Sequence, residues 1–292
     1  MPTKEGAPQP GEEPRDVRVR AALETLEHGL DALLTSDAFA AYLRVMARLP
    51  HYSVGNLVLI HVQQPTASLV AGYRRWQALG RQVKRGEQGI RILVPHTFRT
   101  TDPETDEEQV IVRRFGVGTV FDVAQTEGAP LPEPPPVQRL DGASDVGMRL
   151  FVDLWDYLGT AGMSVARETT APANGYFRPA ARHVGIGEHL DGDQATKTLA
   201  HETAHVVAGH TPGMPEREVE TVAEAAAFVI LARYGLDSRE YSFPYIARWA
   251  QDRRVLQRNL DAVRRVSATV IADLDVGAGS NGTRTPWTED LT

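Results

Sequence analysis

The chain has 292 residues, 42% hydrophobic and 24% charged, with a net charge of −7 and no cysteine. That length suggests about two domains, and the missing cysteines exclude disulfides and thiolate metal sites. The acidic balance argues against nucleic-acid affinity spread over the whole chain.

Residues 1–16 are rich in Pro, Gly and Glu and read as a disordered tail, without the basic-then-apolar pattern of an export signal. No apolar run reaches the ~18 residues of a membrane span. A cytoplasmic protein with no membrane partner is expected. Val19, Ala22, Leu23, Leu26 and Leu30 recur at helical spacing and predict a helix over 17–34. A second helix, over 38–48, has Ser36 or Asp37 as its cap, Phe39, Leu43 and Met46 as its apolar face, and Pro50 as its stop. Residues 56–63 are a short apolar element ended by Pro65. Residues 68–71, 90–95 and 110–123 read as strands, with the acidic stretch 100–108 as a hairpin loop. Five prolines within 127–139 make a stiff linker and the clearest domain boundary.

Beyond the linker, Val146, Leu150, Leu154 and Tyr157 line one face of a helix over 144–158. Asn174-Gly175 favours a tight turn, and Tyr176-Phe177 with His183–Ile186 reads as a short hairpin. Two helices follow, one around residues 199–210 and one over 216–234 closed by Gly235. Further helices are predicted over 243–249 and 253–274, and the Gly/Ser/Asn-rich stretch from 275 reads as a disordered tail. The expected fold class is α+β. A small α+β domain spans 17–126, a Pro-rich linker 127–140 and a mainly helical domain 141–274, with disordered tails at 1–16 and 275–292.

The first of the paired helices contains His201-Glu202-Thr203-Ala204-His205, an H-E-x-x-H pattern. Positions four apart on a helix share a face, so two imidazoles point at one place. Neutral imidazole is a common zinc ligand, and the glutamate beside it is placed to take a proton from water. Asp191 or Asp193 is a candidate cap for this helix. A catalytic zinc needs a third protein ligand. Glu220 and Glu224 share a face on the next helix, and either serves. H-E-x-x-H followed by 18 residues and then Glu224 resembles the gluzincin metallopeptidases. That resemblance implies Glu224 as third ligand, leaving Glu220 as competitor or as a partner that orients a histidine. His183, His189, His210 and Tyr234 are polar groups that such a site can turn towards a developing oxyanion, and each also reads as structural.

A second constellation lies in the first domain. Between Tyr73 and Arg91 stand six cations (Arg74, Arg75, Arg81, Lys84, Arg85, Arg91) and one anion, Glu87, with Tyr73 and Trp76 among them. Cations neutralise phosphates and aromatic rings stack on unpaired bases, so the segment suits single-stranded nucleic acid. A solvated basic turn with Trp76 in the core fits the same composition.

The pattern Tyr52-Ser53-Val54-Gly55-Asn56, Gln64-Pro65, Gly72-Tyr73-Arg74-Arg75-Trp76, Leu79-Gly80-Arg81 and Lys84-Arg85-Gly86-Glu87-Gln88-Gly89-Ile90 resembles the N-terminal domain of ArdC-type antirestriction proteins. The H-E-x-x-H domain is similar to the second part of that family and to the ImmA/IrrE group of metallo-endopeptidases. The resemblance implies single-stranded DNA binding by the first domain through Tyr73, Arg74, Arg75, Trp76, Lys84 and Arg85. It implies a zincin-like second domain and a role on mobile elements in protecting incoming DNA from restriction. One departure is plain: the region after His205 is unlike the plasmid antirestriction proteins, and Glu220 with Glu224 suits the peptidase group better.

Together these readings predict one Zn2+ per chain, or another divalent metal, on His201, His205 and Glu224. Glu202 is the catalytic base acting on an unidentified peptide or protein. Two alternatives stand beside this: a non-catalytic single-strand-binding antirestriction protein whose metal site is structural or vestigial, and a regulatory protease that cleaves a repressor.

Overall fold

Alternating apolar positions in the strands and three-to-four spacing in the helices produce an α+β chain. The computed structural model describes residues 15–33, 36–101, 108–131, 143–211, 213–236 and 253–279. In chain order the first elements are α1 (Arg15–Ala32), α2 (Ser36–Arg48), α3 (Val54–Gln63), β1 (Val70–Gly72), α4 (Tyr73–Ala78), β2 (Arg81–Val83), β3 (Ile90–Thr101), β4 (Glu108–Asp122) and β5 (Thr126–Gly128). Then follow α5 (Ala143–Thr160), β6 (Ser164–Glu168), β7 (Gly175–Arg178), β8 (His183–Gly187), α6 (Gly192–Ala208), α7 (Glu216–Arg233) and α8 (Arg253–Gly279). Packing divides the chain into two units, 1–32 with 55–129, and 33–54 with 130–292. Among the described residues no helix is long and apolar enough to cross a membrane.

In the first unit an antiparallel sheet has the order β1-β4-β3, and β2 pairs with β5 in a separate ribbon. Ile90, Ile92 and Val120 bury one sheet face, against which α1 packs. Gly29 lets α1 approach α3, since a Cβ there would lie 2.5 Å from Val58 Cγ1. Two amide side chains of α3 bond the outer edge of β3. Asn56 Nδ2 donates to the Leu93 carbonyl at 2.9 Å and its Oδ1 accepts the Leu93 N–H at 2.8 Å. Gln63 does the same at Arg91, at 2.9 Å each way. Asp122 is the polar centre of the unit, 2% exposed. Its carboxylate accepts the N–H groups of Ser68 at 2.7 Å, Leu69 at 3.1 Å and Ala124 at 3.0 Å. It thereby ties the approach to β1 and the turn after β4 to one side chain.

In the second unit α7 is the central helix. Ala223, Ala225, Ala226, Ala227, Val229 and Ile230 are all fully buried, and α2, α6 and α8 pack on it. The short alanine side chains let three neighbours come close. The unit's sheet has the order β6-β8-β7, with β8 parallel to β6 and antiparallel to β7.

Several expectations change here. Chain order put α2 in the first domain, yet Phe39, Tyr42, Leu43 and Met46 are fully buried within the second unit and Arg44 stacks over Phe228 at 5.5 Å. Residues 15–16 and 275–279, expected in tails, are helical. Asp275 stays ordered because Arg233 donates to it at 2.9 Å and the Tyr234 hydroxyl at 3.2 Å. Residues 126–128, at the start of the expected linker, form β5. α4, β2 and β6 had no expectation behind them, being too short for a periodic signal. The 243–249 helix, the tails 1–14 and 280–292, the loop tip 102–107 and the proline run 132–142 lie outside the described residues.

Replacing Asp122 by Ala strands three backbone donors, each bonded to a charged acceptor. We expect the first unit to lose about 3 kcal/mol, with Asp122→Asn recovering part of it. Urea unfolding in a background with Trp76 as the sole tryptophan (Trp155, Trp249 and Trp287 replaced by Phe) measures this by fluorescence, and a loss below about 1 kcal/mol would contradict it.

Candidate metal centre

Asp191 caps α6, its side chain accepting the Gln194 N–H at 3.1 Å. From that start Leu199, Ala200 and Ala204 point into the core, fully buried, while His201 and His205 fall one turn apart towards α7. His201 Nε2 lies 3.2 Å from Glu220 Oε2 and His205 Nε2 lies 3.4 Å from Glu220 Oε1. The two Nε2 atoms are 3.0 Å apart. Ligand atoms of His201, His205 and Glu220 all lie within 4.8 Å of one another, a group able to hold a metal ion.

Glu224 stands elsewhere. Its Oε2 is 3.0 Å from His201 Nδ1, on the opposite edge of that ring from Nε2. The carboxylate expected on the ion thus lies against the Nδ1 edge of the His201 ring, while Glu220, one turn earlier, lies with the two Nε2 atoms. Glu220 and Glu224 share a face of α7, so which of them lies nearer Nε2 depends on how far α7 is shifted along its own axis against α6, and the residue count after His205 does not encode that shift. Beside the apolar run that follows it, Glu224 is the more buried of the two carboxylates, 33% exposed against 53% for Glu220.

The donor set fits a divalent cation. A carboxylate is acceptor only, so Glu224 takes the Nδ1 proton of His201, and the neutral ring then presents a lone pair at Nε2. That lone pair faces the Glu220 carboxylate and the second Nε2. Such a convergence needs a proton or a cation between its members.

The electrostatics agree. Burial opposes a charge on His201, but the bonds to Glu220 and Glu224 and the charge of Glu202 outweigh it and push the imidazole up to about 10. The bonds from His201 and His205 hold Glu220 well below the usual carboxylate range. Glu202, 7% exposed, goes the other way, because burial pushes its carboxyl up against the opposing pull of the two imidazoles. A carboxyl of raised pKa beside a cation site holds a proton more readily than an exposed one, as a group that both takes and gives protons must.

His210 joins this cluster, its Nδ1 2.9 Å from His205 Nδ1. Burial and the neighbouring His205 push it down to about 4. The other polar candidates are engaged away from it. His183 bonds Glu168 at 2.9 Å and Ser164 at 3.0 Å, and Tyr234 bonds Asp275. His189 is exposed. Strand β7 lies beside the catalytic candidate: a Cβ on Gly175 would stand 3.3 Å from Glu202 Oε1 and 2.6 Å from Thr198 Cγ2. Only glycine allows that approach, and β7 is an edge strand of its sheet.

The six expected DNA residues divide. Trp76 is fully buried and its Nε1 donates to the Phe121 carbonyl at 3.0 Å, so it belongs to the core. Lys84 is exposed, with Nζ donating to the Ala124 carbonyl at 2.8 Å. Tyr73, Arg74 and Arg85 are exposed, and Arg75 is half-buried. Arg81 is structural, binding Thr126 through Oγ1 at 2.8 Å and the Ala129 carbonyl at 2.6 Å. The sequence reading missed the open face of the first unit's sheet. Phe115, Val117, Thr119 and Phe121 alternate along β4 on the side away from Val120, with exposed Arg91 opposite Thr119. Phe115 is 51% exposed. The alternation of large side chains with glycine over residues 115–118 was the available signal.

Residues 20–121 match the family described as the N-terminal domain of anti-restriction factor ArdC. That bears out the resemblance for this part of the chain, and the metal centre lies outside the match. The antirestriction ArdC protein of plasmid R388, crystallised metal-free, aligns over 89% of this chain and 99% of its own, with a TM-score of 0.51 and 20% identity. This is a likeness of fold. An uncharacterised protein of Bacillus anthracis is 22% identical over 267 residues, covering 77% of this chain and 45% of its own length. One of Sinorhizobium fredii is 26% identical over 225 residues, covering 68% of each. The chain thus spans about half the length of the Bacillus relative.

A cation can use the His201 lone pair only after its proton leaves. Because that imidazole is pushed up to about 10 in the metal-free chain, each ion bound near pH 8 should displace about one proton. Apparent affinity should rise roughly tenfold per pH unit and flatten as the pH nears 10. In the metal-free chain the same shift stabilises the fold fully below pH 6.5, and that contribution is lost as pH rises through about 10. Titration calorimetry with Zn2+ in buffers of different ionisation enthalpy reads the proton count, and zero protons at pH 8 would contradict it.

Proposed function

We propose that this chain is a divalent-metal-dependent, peptidase-like protein with a single-stranded-DNA-binding unit, acting in antirestriction. The observation that carries the reading is the convergence of His201, His205 and Glu220 with the buried carboxyl of Glu202 beside it. Two imidazoles and one carboxylate leave an open position and suit zinc, our choice among divalent ions. When bound, such an ion supplies Lewis acidity that polarises a carbonyl and makes water more acidic. Glu202 takes the proton of the attacking water and passes it to the leaving amine. Its raised pKa serves both transfers. Glu224 orients His201, a role opposite to that of third ligand. The open edge of β7 offers backbone groups to an extended peptide substrate alongside Glu202. This supports a zincin-like assignment for the second unit.

For the first unit we propose that Arg74, Arg75, Lys84, Arg85 and Arg91 meet phosphates while Tyr73 and Phe115 stack on bases. Trp76 holds the fold in place of stacking. The match of residues 20–121 to the ArdC N-terminal family supports this, and it is also the support for an antirestriction role. A vestigial metal site with DNA occlusion alone, or cleavage of a dedicated repressor, are the competing outcomes of the tests.

Glu202→Gln should keep the zinc stoichiometry of the parent and abolish hydrolysis of a quenched peptide library. If antirestriction activity survives that substitution in full, the hydrolytic reading fails and occlusion remains.

On the DNA side, Phe115→Ala should weaken binding of a labelled oligothymidylate by about 1–3 kcal/mol without changing the salt slope. Arg74→Ala with Arg85→Ala should instead reduce the slope by about 1.4, near 0.7 per contact. Fluorescence anisotropy over a salt series separates these, and unchanged affinity in both folded variants would remove this surface.

A further inference from the structure

The sequence Ala208-Gly209-His210 ends α6 in a way that acts on the metal centre. Gly209 sits at φ 67°, ψ 34°, the left-handed conformation that favours glycine. Its N–H donates to the Val206 carbonyl at 3.1 Å and the His210 N–H donates to the His205 carbonyl at 3.1 Å. This is the paired-bond helix stop in which the second residue past the end folds back over the residue five earlier. In most such stops that contact is apolar. Here it is imidazole on imidazole, with ring centroids 5.0 Å apart, an interplanar angle of 70° and 2.9 Å between the two Nδ1 atoms.

Two nitrogens at that distance share one proton, so one ring donates and the other accepts. His205 turns its Nε2 to Glu220 and His201, and a neutral ring with a free lone pair there carries its proton on Nδ1. We infer that His210 is a positioning residue which accepts the Nδ1 proton of His205 and so fixes that ring with its Nε2 lone pair aimed at the cation. The inference rests on the reading of His201, His205 and Glu220 as a divalent-cation site. Each ligand imidazole then has its own holder on the far nitrogen: Glu224 from α7 for His201, and His210 from the end of α6 itself for His205. The second holder is local in sequence, so its position is set by one glycine rather than by helix packing.

The test uses the full chain with Zn2+ in a competitive chelator titration and Co2+ as a spectroscopic probe. His210→Leu keeps an apolar contact at the helix stop but cannot accept a proton. His210→Asn places an amide oxygen close to where Nδ1 lies and can. We expect His210→Leu to weaken Zn2+ binding by about ten- to a hundredfold and to shift the Co2+ visible bands, with the melting temperature of the metal-free protein unchanged. His210→Asn should restore most of the affinity and the parental spectrum. Imidazole 15N shifts should show His205 protonated at Nδ1 in the parent and a mixture of tautomers in His210→Leu. Parental affinity and spectrum in His210→Leu would overturn the inference while leaving the cation site standing. A parent that binds no Zn2+ or Co2+ would overturn the site itself, and the inference with it.

Discussion

The close approach of α6 and α7 is the constraint on which the second unit depends. Two helices meet with His201 and His205 of one and Glu220 and Glu224 of the other in hydrogen-bond contact. Bulky residues along the seam would hold the backbones apart and put the carboxylates out of reach. The buried alanines of α7 and Ala200 and Ala204 of α6 remove that obstacle. Small side chains thus convert an apolar interface into a polar site at its edge. The same economy recurs at Gly175, where the absence of a Cβ lets a strand lie against Glu202.

Charge in the centre is arranged as opposing shifts. Burial discourages charge on His201 and on Glu202 alike, yet the imidazole gains two carboxylate partners and the buried carboxyl gains none as close. One group is held protonated in the metal-free chain, and the other is pushed towards the neutral range. Groups separated in this way are what general acid–base chemistry needs. The division of labour comes from placement, since Glu202 and Glu220 are the same residue type with opposite shifts.

The sequence was most informative where a signal repeats. Helical spacing located α1, α2, α5, α7 and most of α8, and the pairing of β7 with β8 followed from a turn and two short apolar runs. The meeting of His201 and His205 was legible because a four-residue spacing on one helix fixes geometry by itself. Which of Glu220 and Glu224 faces Nε2 was not legible, since the two share a face and the choice depends on the axial offset between α6 and α7. Trp76 misled because a basic neighbourhood and a core position coexist within one short helix, and composition cannot tell the faces of α4 apart. Phe115 lies exposed on β4 outside the basic segment, where composition does not single it out. α2 shows the limit of reading domains in chain order: its apolar face is obvious, but the surface that covers it lies far along the sequence.

The amides of Asn56 and Gln63 carry a consequence for the first unit. A sheet edge with open N–H and C=O groups invites strands from other molecules. Along β3 those groups at residues 91 and 93 are already occupied by side chains two helical turns apart. α3 thus serves as a surrogate strand that cannot be extended, because a helix offers no further edge to pair. The long β3–β4 hairpin thus presents fewer open pairing groups along this stretch, which disfavours edge-to-edge association there.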